Sequence, residues 1–135
     1  MRAALAALVL LAGPAAAQEG PVDCEADDLM PAEIARCAEI AWTESEGALD
    51  LAYGLAVTAA EVLDETRFLA GEADEVRAAA LVEAGQADWL AHRDSHCAAE
   101  SLLVSPGMER EAVGRLCLAR LNEARVAQLA VFAAE

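Results

Sequence analysis

Two histidines and their polar neighbours are the residues of this chain whose types could carry chemistry. His92 and His96 are four residues apart, a helical spacing that can bind zinc. No glutamate follows His92, as a zinc protease signature requires, and a third ligand would have to come from elsewhere. Asp94, Ser95 and His96 are the residue types of a hydrolase triad, but adjacent helical residues point in different directions and cannot relay a proton. We therefore expect no enzyme, no catalytic residue, no metal and no cofactor.

The same stretch carries polar residues where an amphipathic helix is normally apolar. The spacing i, i+3, i+4, i+7 and i+11 places five residues on one helix face. They are Gln86, Trp89, Leu90, Arg93 and Cys97. A buried arginine requires an acidic partner, so this face predicts carboxylates on a neighbouring helix.

The elements that position these residues are predicted to be helices, because no alternating strand pattern with turn signals appears. The apolar periodicity predicts three helices, over about 32–69, 74–100 and 109–132. Asp74 is the expected N-cap of the second helix, and the first helix has a weak point between Thr43 and Gly47. The expected fold is all-α, a small disulfide-stapled antiparallel bundle of about three long helices with an irregular N-terminal arm.

A turn near Gly71 would bring acids to the polar face of the second helix. It sets Trp89 opposite Tyr53, and Arg93 opposite Leu49 to Asp50. Glu46, Asp50 and Tyr53 lie at i, i+4 and i+7 of the first helix and so share a face. We interpret the resulting set as a structural polar cluster that joins two helices; the alternative is a binding site. Its members are Glu46, Asp50, Tyr53, Gln86, Trp89 and Arg93.

Four cysteines, an even number, are typical of two disulfides in an exported protein, with three pairings open. They are Cys24, Cys37, Cys97 and Cys117, and their spacing does not match a zinc motif. Antiparallel helices joined near residue 107 place Cys97 and Cys117 at the same level, within bonding reach. Cys24 then pairs with Cys37.

The first 17 residues have the pattern of a secretory signal peptide. Met1-Arg2 is a positive start, Ala3 to Ala12 is apolar, and Ala15 to Ala17 is a small-residue cleavage pattern. We expect a periplasmic or secreted protein, with the N-terminal arm over 18–30 and the helical domain over 31–135. No cysteine stands at the cleavage site, so we expect no lipoprotein anchor, and no membrane insertion after signal removal.

The chain is strongly acidic and contains no lysine, with a formal net charge of −15. Arg2 is the one charged residue among residues 1–17. Their removal therefore leaves eight basic and 24 acidic residues, a formal net charge of −16. This charge disfavours nucleic acid and anionic membranes as partners, and it would attract a cationic protein. The alternative is that the charge only keeps an exported protein soluble.

The block from Gln86 to Cys97, together with shorter pieces over the rest of the chain, resembles the LprI-like N-terminal domain family, named for the lysozyme inhibitor LprI. The shorter pieces are Cys24, Ile34-x-x-Cys37-Ala38, Glu46, Leu49-Asp50-x-x-Tyr53, Cys117 and Arg125-x-x-x-Leu129. Glu46 and Asp50 replace the family's usual Asp and Asn. Ser105-Pro106-Gly107 stands where members often carry Gly-Gly-Ser.

The resemblance implies a cell-envelope binding protein that inhibits lysozyme-type, peptidoglycan-cleaving enzymes by occlusion. The alternative is a structural or regulatory periplasmic module without lysozyme-directed activity. Loops commonly carry such binding, so the candidate partner-binding residues are Val104, Ser105, Pro106, Gly107 and Met108. Leu102 and Leu103 add apolar surface there, unless they pack under the loop to close the helix pair.

Overall fold

A computed structural model describes residues 20–72 and 74–133. Within these residues the chain forms three α-helices and no strand, so the all-α class is confirmed. The helices are α1, Pro31–Ala70; α2, Ala78–Ser101; and α3, Met108–Leu129. The expected signal peptide lies outside the described residues.

Helix α1 has clear sequence signals at both ends. Pro31 occupies its first position, and the Glu33 carboxylate accepts the backbone N–H of Met30 at 2.7 Å. Gly71 ends the helix in the left-handed region at φ 75°, where glycine carries no Cβ penalty. Its 40 residues run unbroken through Thr43 to Gly47, over about 60 Å. The buried Ser45, which α3 contacts, lies within that stretch.

Contacts between the helices define their directions. Glu39 pairs with Arg115, and Glu46 bonds Asn122, so α1 and α3 run parallel in steady register. Helix α2 runs antiparallel to α3, because Arg93 bonds Asn122 while Cys97, farther along α2, bonds the earlier Cys117. Since α1 is parallel to α3, α2 is antiparallel to α1 as well, and Arg93 bonds Glu46 there. The polar face of α2 is thereby directed at the other two helices.

The core contains many alanines and few large side chains. Leu49 and Leu129 are its largest fully buried apolar residues, and Ala56, Ala60 and Val82 pack with them. Small side chains let helix axes approach closely, which shortens the distance that a polar side chain must span to reach the next helix. The core therefore favours side-chain hydrogen bonds between helices.

Two disulfides join Cys24 to Cys37 and Cys97 to Cys117, the pairs expected from the hairpin arrangement. Cys24 is exposed, whereas Cys97 and Cys117 are both buried. The first bridge attaches the N-terminal arm to α1, where the Arg36 guanidinium also donates to the Gly20 carbonyl at 2.9 Å. The second bridge lies inside the bundle and joins α2 to α3.

The start of α2 differs from the prediction. Helix α2 begins at Ala78, and Asp74 instead pairs with Arg67 at 2.6 Å. The orphan N–H groups at the start of α2 are capped from another helix: the Asp64 carboxylate accepts from Ala78 at 2.7 Å and Ala79 at 3.1 Å. The expected N-cap Asp74 was wrong because this tertiary contact satisfies the donors four residues later.

Asp64 should make stability depend on pH. The hydrogen bond from Ala78 above all, then that from Ala79 and the charge of Arg77, lower the pKa of the Asp64 carboxyl, although desolvation opposes them. A lowered folded-state pKa contributes stability above the unfolded value of about 3.9, and this contribution is lost as pH falls through the folded value. We expect Asp64→Asn to melt below wild type at pH 7 and to approach it near pH 3.

Thermal melts followed by circular dichroism across this pH range measure the difference. Asp50→Asn is the matched control, because Asp50 is exposed on the same helix and its carboxylate caps no helix among the described residues. A difference between Asp64→Asn and wild type that stayed constant from pH 7 to pH 3 would contradict the capping role.

Candidate functional site

Arg93 lies at the centre of a polar cluster between the helices and is only 8% exposed. Its Nη1 donates to Glu46 Oε1 on α1 at 2.7 Å and to Asn122 Oδ1 on α3 at 2.8 Å. Its Nε donates to the neighbouring Asp94 at 2.9 Å. One guanidinium therefore joins all three helices.

Glu46 and Asn122 complete the cluster. Besides Arg93, Glu46 Oε1 accepts from Asn122 Nδ2 at 2.9 Å and from the Trp42 indole N–H at 3.2 Å. Asn122 is fully buried, and its Nδ2 also donates to Ser45 Oγ at 3.0 Å. Each buried polar atom of these residues thus has a partner, as a stable interior requires.

Trp89 lies between two guanidinium groups. Arg93 and Arg125 each place Cζ 5.5 Å from the centre of the Trp89 ring, within cation–π range. Arg125 Nε in turn donates to Gln86 Oε1 at 2.9 Å. Gln86 therefore belongs to this arrangement through Arg125 and α3, rather than through Arg93.

Asp50 and Tyr53 lie on the same side of the bundle as Arg93 and Gln86, as expected from a turn near Gly71. They line a shallow groove of about 420 Å³ that also borders Arg93, and no hydrogen bond joins either of them to Arg93 among the described contacts. Arg93 pairs with Glu46, one helical turn from Asp50. The position of the turn between two antiparallel helices determines only which backbone positions lie side by side. A long side chain such as that of Arg93 can also reach a residue one helical turn away, about 5.4 Å along the axis.

Asn122, Ser45 and Arg125 were missed as members of the cluster. Asn122 was the detectable one, since it lies three residues after Ala119 and seven before Leu129, on the buried face of α3. A polar residue on such a face predicts an interhelical hydrogen bond. The signal for Arg125 was only its place in the family pattern.

The three residues that follow Arg93 along α2 do not bond one another through their side chains. Asp94 bonds Arg93, Ser95 Oγ donates to the His92 carbonyl, and His96 lies 3.4 Å from Glu100, so these neighbours have separate partners. The described hydrogen bonds of the cluster thus run between residues of this chain and join its three helices.

One group of three potential metal ligands occurs in the described part of the chain. Ligand atoms of His96, Glu100 and Cys117 lie within 4.8 Å of one another. Cys117 is bonded to Cys97, so it offers no thiolate, and Arg120 holds Glu100 at 2.8 Å. We assign no metal site to this group.

The α2–α3 tip, residues 102–108, consists of the loop between the two helices and the first residue of α3, and its surface is largely apolar. Arg110 donates to the Val104 carbonyl through Nη2 at 2.8 Å and Nε at 3.2 Å. Val104 is half-buried, and Ser105 to Gly107 are exposed. Leu103 is 83% exposed, and Leu102 and Met108 are also exposed. The alternative in which both leucines pack under the loop is therefore wrong.

Comparison with protein families gives one result that covers most of the chain. Residues 24–129 match the family described as "Lysozyme inhibitor LprI". Comparison with curated proteins and with solved structures gives no match. None of the helices in the described residues is long and apolar enough to cross a membrane. The match begins at the disulfide-bonded Cys24 and ends at the buried Leu129. Because it covers most of the chain, the chain belongs to the LprI lysozyme inhibitor family.

Proposed function

We propose that this protein is an exported, periplasmic or secreted inhibitor that binds a basic lysozyme-type enzyme and blocks its access to peptidoglycan. The observation that carries the proposal is the family match over residues 24–129, which coincides with the folded unit from Cys24 to Leu129. The proposed action is binding, because the polar groups of the interior are engaged with one another.

The charge distribution supports a cationic partner. The arginines of the described chain that could repel such a partner are largely engaged by groups of the same chain. The ion pairs are Arg67–Asp74, Arg77–Asp64, Arg93–Glu46, Arg115–Glu39 and Arg120–Glu100. Excess carboxylates therefore dominate the field outside the protein, which steers a basic protein toward it and raises the association rate.

The α2–α3 tip is the proposed occluding element. It is held by Arg110 and presents Leu103 and Met108 outward, with the exposed acids Glu109 and Glu111 beside them. Because Arg110 already holds the loop backbone, less backbone entropy is lost when the apolar side chains enter a cleft, and the neighbouring acids can set the approach. This is a proposed role for residues 102–108.

A lysozyme activity assay with the disulfide-bonded protein tests the proposal. We expect inhibition that weakens as salt rises from about 0.01 M to about 1 M, because the Debye length falls from about 30 Å to about 3 Å. Calorimetric titration should accompany the assay, since salt also changes the enzyme's own rate. If the protein at micromolar concentration neither inhibits nor binds the enzyme, the result would favour a structural or regulatory envelope module instead.

Variants of the tip locate the contact within the same assay. Leu103→Ser combined with Met108→Ser should weaken binding by tenfold or more, about 1.4 kcal/mol, with an unchanged melting temperature. Leu51→Ser is the matched control, because Leu51 is 67% exposed on α1, away from the tip. Equal binding by the tip variant would remove residues 102–108 from the contact.

A further inference from the structure

Helix α3 is too short to cover the whole of α1. Asn122 contacts Ser45 and Glu46, so the end of α3 at Leu129 lies near the level of Tyr53. Helix α1 continues to Ala70, about 25 Å farther. Over this length the described residues form two helices, α1 and the first turns of α2, without a third beside them.

This two-helix end exposes more apolar surface than a solvated helix pair needs. Phe68 is 70% exposed, and Leu63, Val76 and Leu81 are exposed around it. They line an open groove of about 800 Å³ between the C-terminal turns of α1 and the start of α2. Concentrated apolar surface of this kind marks interaction sites in soluble proteins.

The charged residues at the groove indicate the sign of the charge that its occupant should carry. Both arginines of the groove are already paired, Arg67 with Asp74 at 2.6 Å and Arg77 with Asp64 at 3.4 Å. Glu61 and Glu65 also line it, are exposed, and have no ion-pair partner among the described residues. An occupant therefore meets an apolar floor bordered by two free carboxylates.

We propose that this groove docks a basic amphipathic helix of a partner protein. The helix completes the bundle where α3 is absent: its apolar face covers Phe68 and Leu81, and its lysines or arginines pair with Glu61 and Glu65. A second copy of this chain fits less well, because it would bring the same unpaired acids together. The groove lies at the opposite end from residues 102–108, so this docking is separate from the proposed inhibition.

The probe is a fluorescein-labelled helical peptide with leucines on one face and lysines on the other. Fluorescence anisotropy at about 0.15 M salt, where the Debye length is about 8 Å, should show saturable one-to-one binding. Glu61→Gln with Glu65→Gln should weaken it at least tenfold, as should Val76→Ser with Leu81→Ser. Leu103→Ser with Met108→Ser at the other end should bind as wild type does.

A scrambled peptide of the same composition is the control for general attraction between opposite charges. Binding of the scrambled peptide with equal affinity, or full binding by the Glu61→Gln, Glu65→Gln variant, would overturn the proposal. Sedimentation of the protein alone provides a second test. A dimer that Val76→Ser with Leu81→Ser converts to monomer would show that a second copy occupies the groove, and would overturn it too.

Discussion

Arg93→Ala is expected to lower the free energy of unfolding by about 3 kcal/mol, the lower end of the range for breaking a buried ion pair. The substitution leaves Glu46 without its counter-ion and removes the N–H group that donates a hydrogen bond to Asn122 Oδ1. The Glu46 side chain keeps 34% exposure, and that contact with water limits the loss. Urea unfolding followed by circular dichroism measures the change.

Arg120→Ala is the matched control for Arg93→Ala. Arg120 pairs with Glu100 at 2.8 Å, but its side chain is largely exposed, so the expected cost is about 0–1 kcal/mol. Equal destabilisation by the two substitutions would contradict the central role of Arg93. Unchanged stability of Arg93→Ala together with lost lysozyme binding would make Arg93 a contact residue instead.

Removing the buried disulfide is the second large expected effect. Cys97→Ala with Cys117→Ala should lower the free energy of unfolding by about 3 kcal/mol, because the bridge closes a loop with a sequence separation of 20. The double substitution avoids leaving a free thiol in the core. The three helices should persist, since the Arg93 cluster still joins them, and a lower urea midpoint with retained helical signal is the expected result.

Cys24→Ala with Cys37→Ala is the comparison for the buried bridge. This bridge attaches an exposed arm to α1 and its removal should cost less, because the arm contributes little to the core. Peptide mapping of the unreduced protein checks both pairings first. A larger loss from the Cys24–Cys37 pair than from the Cys97–Cys117 pair would show that the arm stabilises the bundle more than its exposure indicates.

The sequence by itself determined the helices and several of their ends, because these depend on local backbone chemistry. Pro31 suits only the first turn of α1, and Gly71 accepts the left-handed conformation that ends it. The apolar spacing determined the all-α class. The polar face of α2 also required an acid for Arg93 without identifying it, since the cost of a buried unpaired guanidinium holds in any fold.

Only the tertiary structure decided which groups meet. Glu46 rather than Asp50 pairs with Arg93, and Asn122 on α3 joins them, because the choice depends on how three helix faces meet. Asp64 moves the start of α2 past Asp74 for the same reason. The C-terminal part of α1 extends past the level of Leu129, where α3 ends. This follows from the register of α3 along α1, which no local pattern encodes.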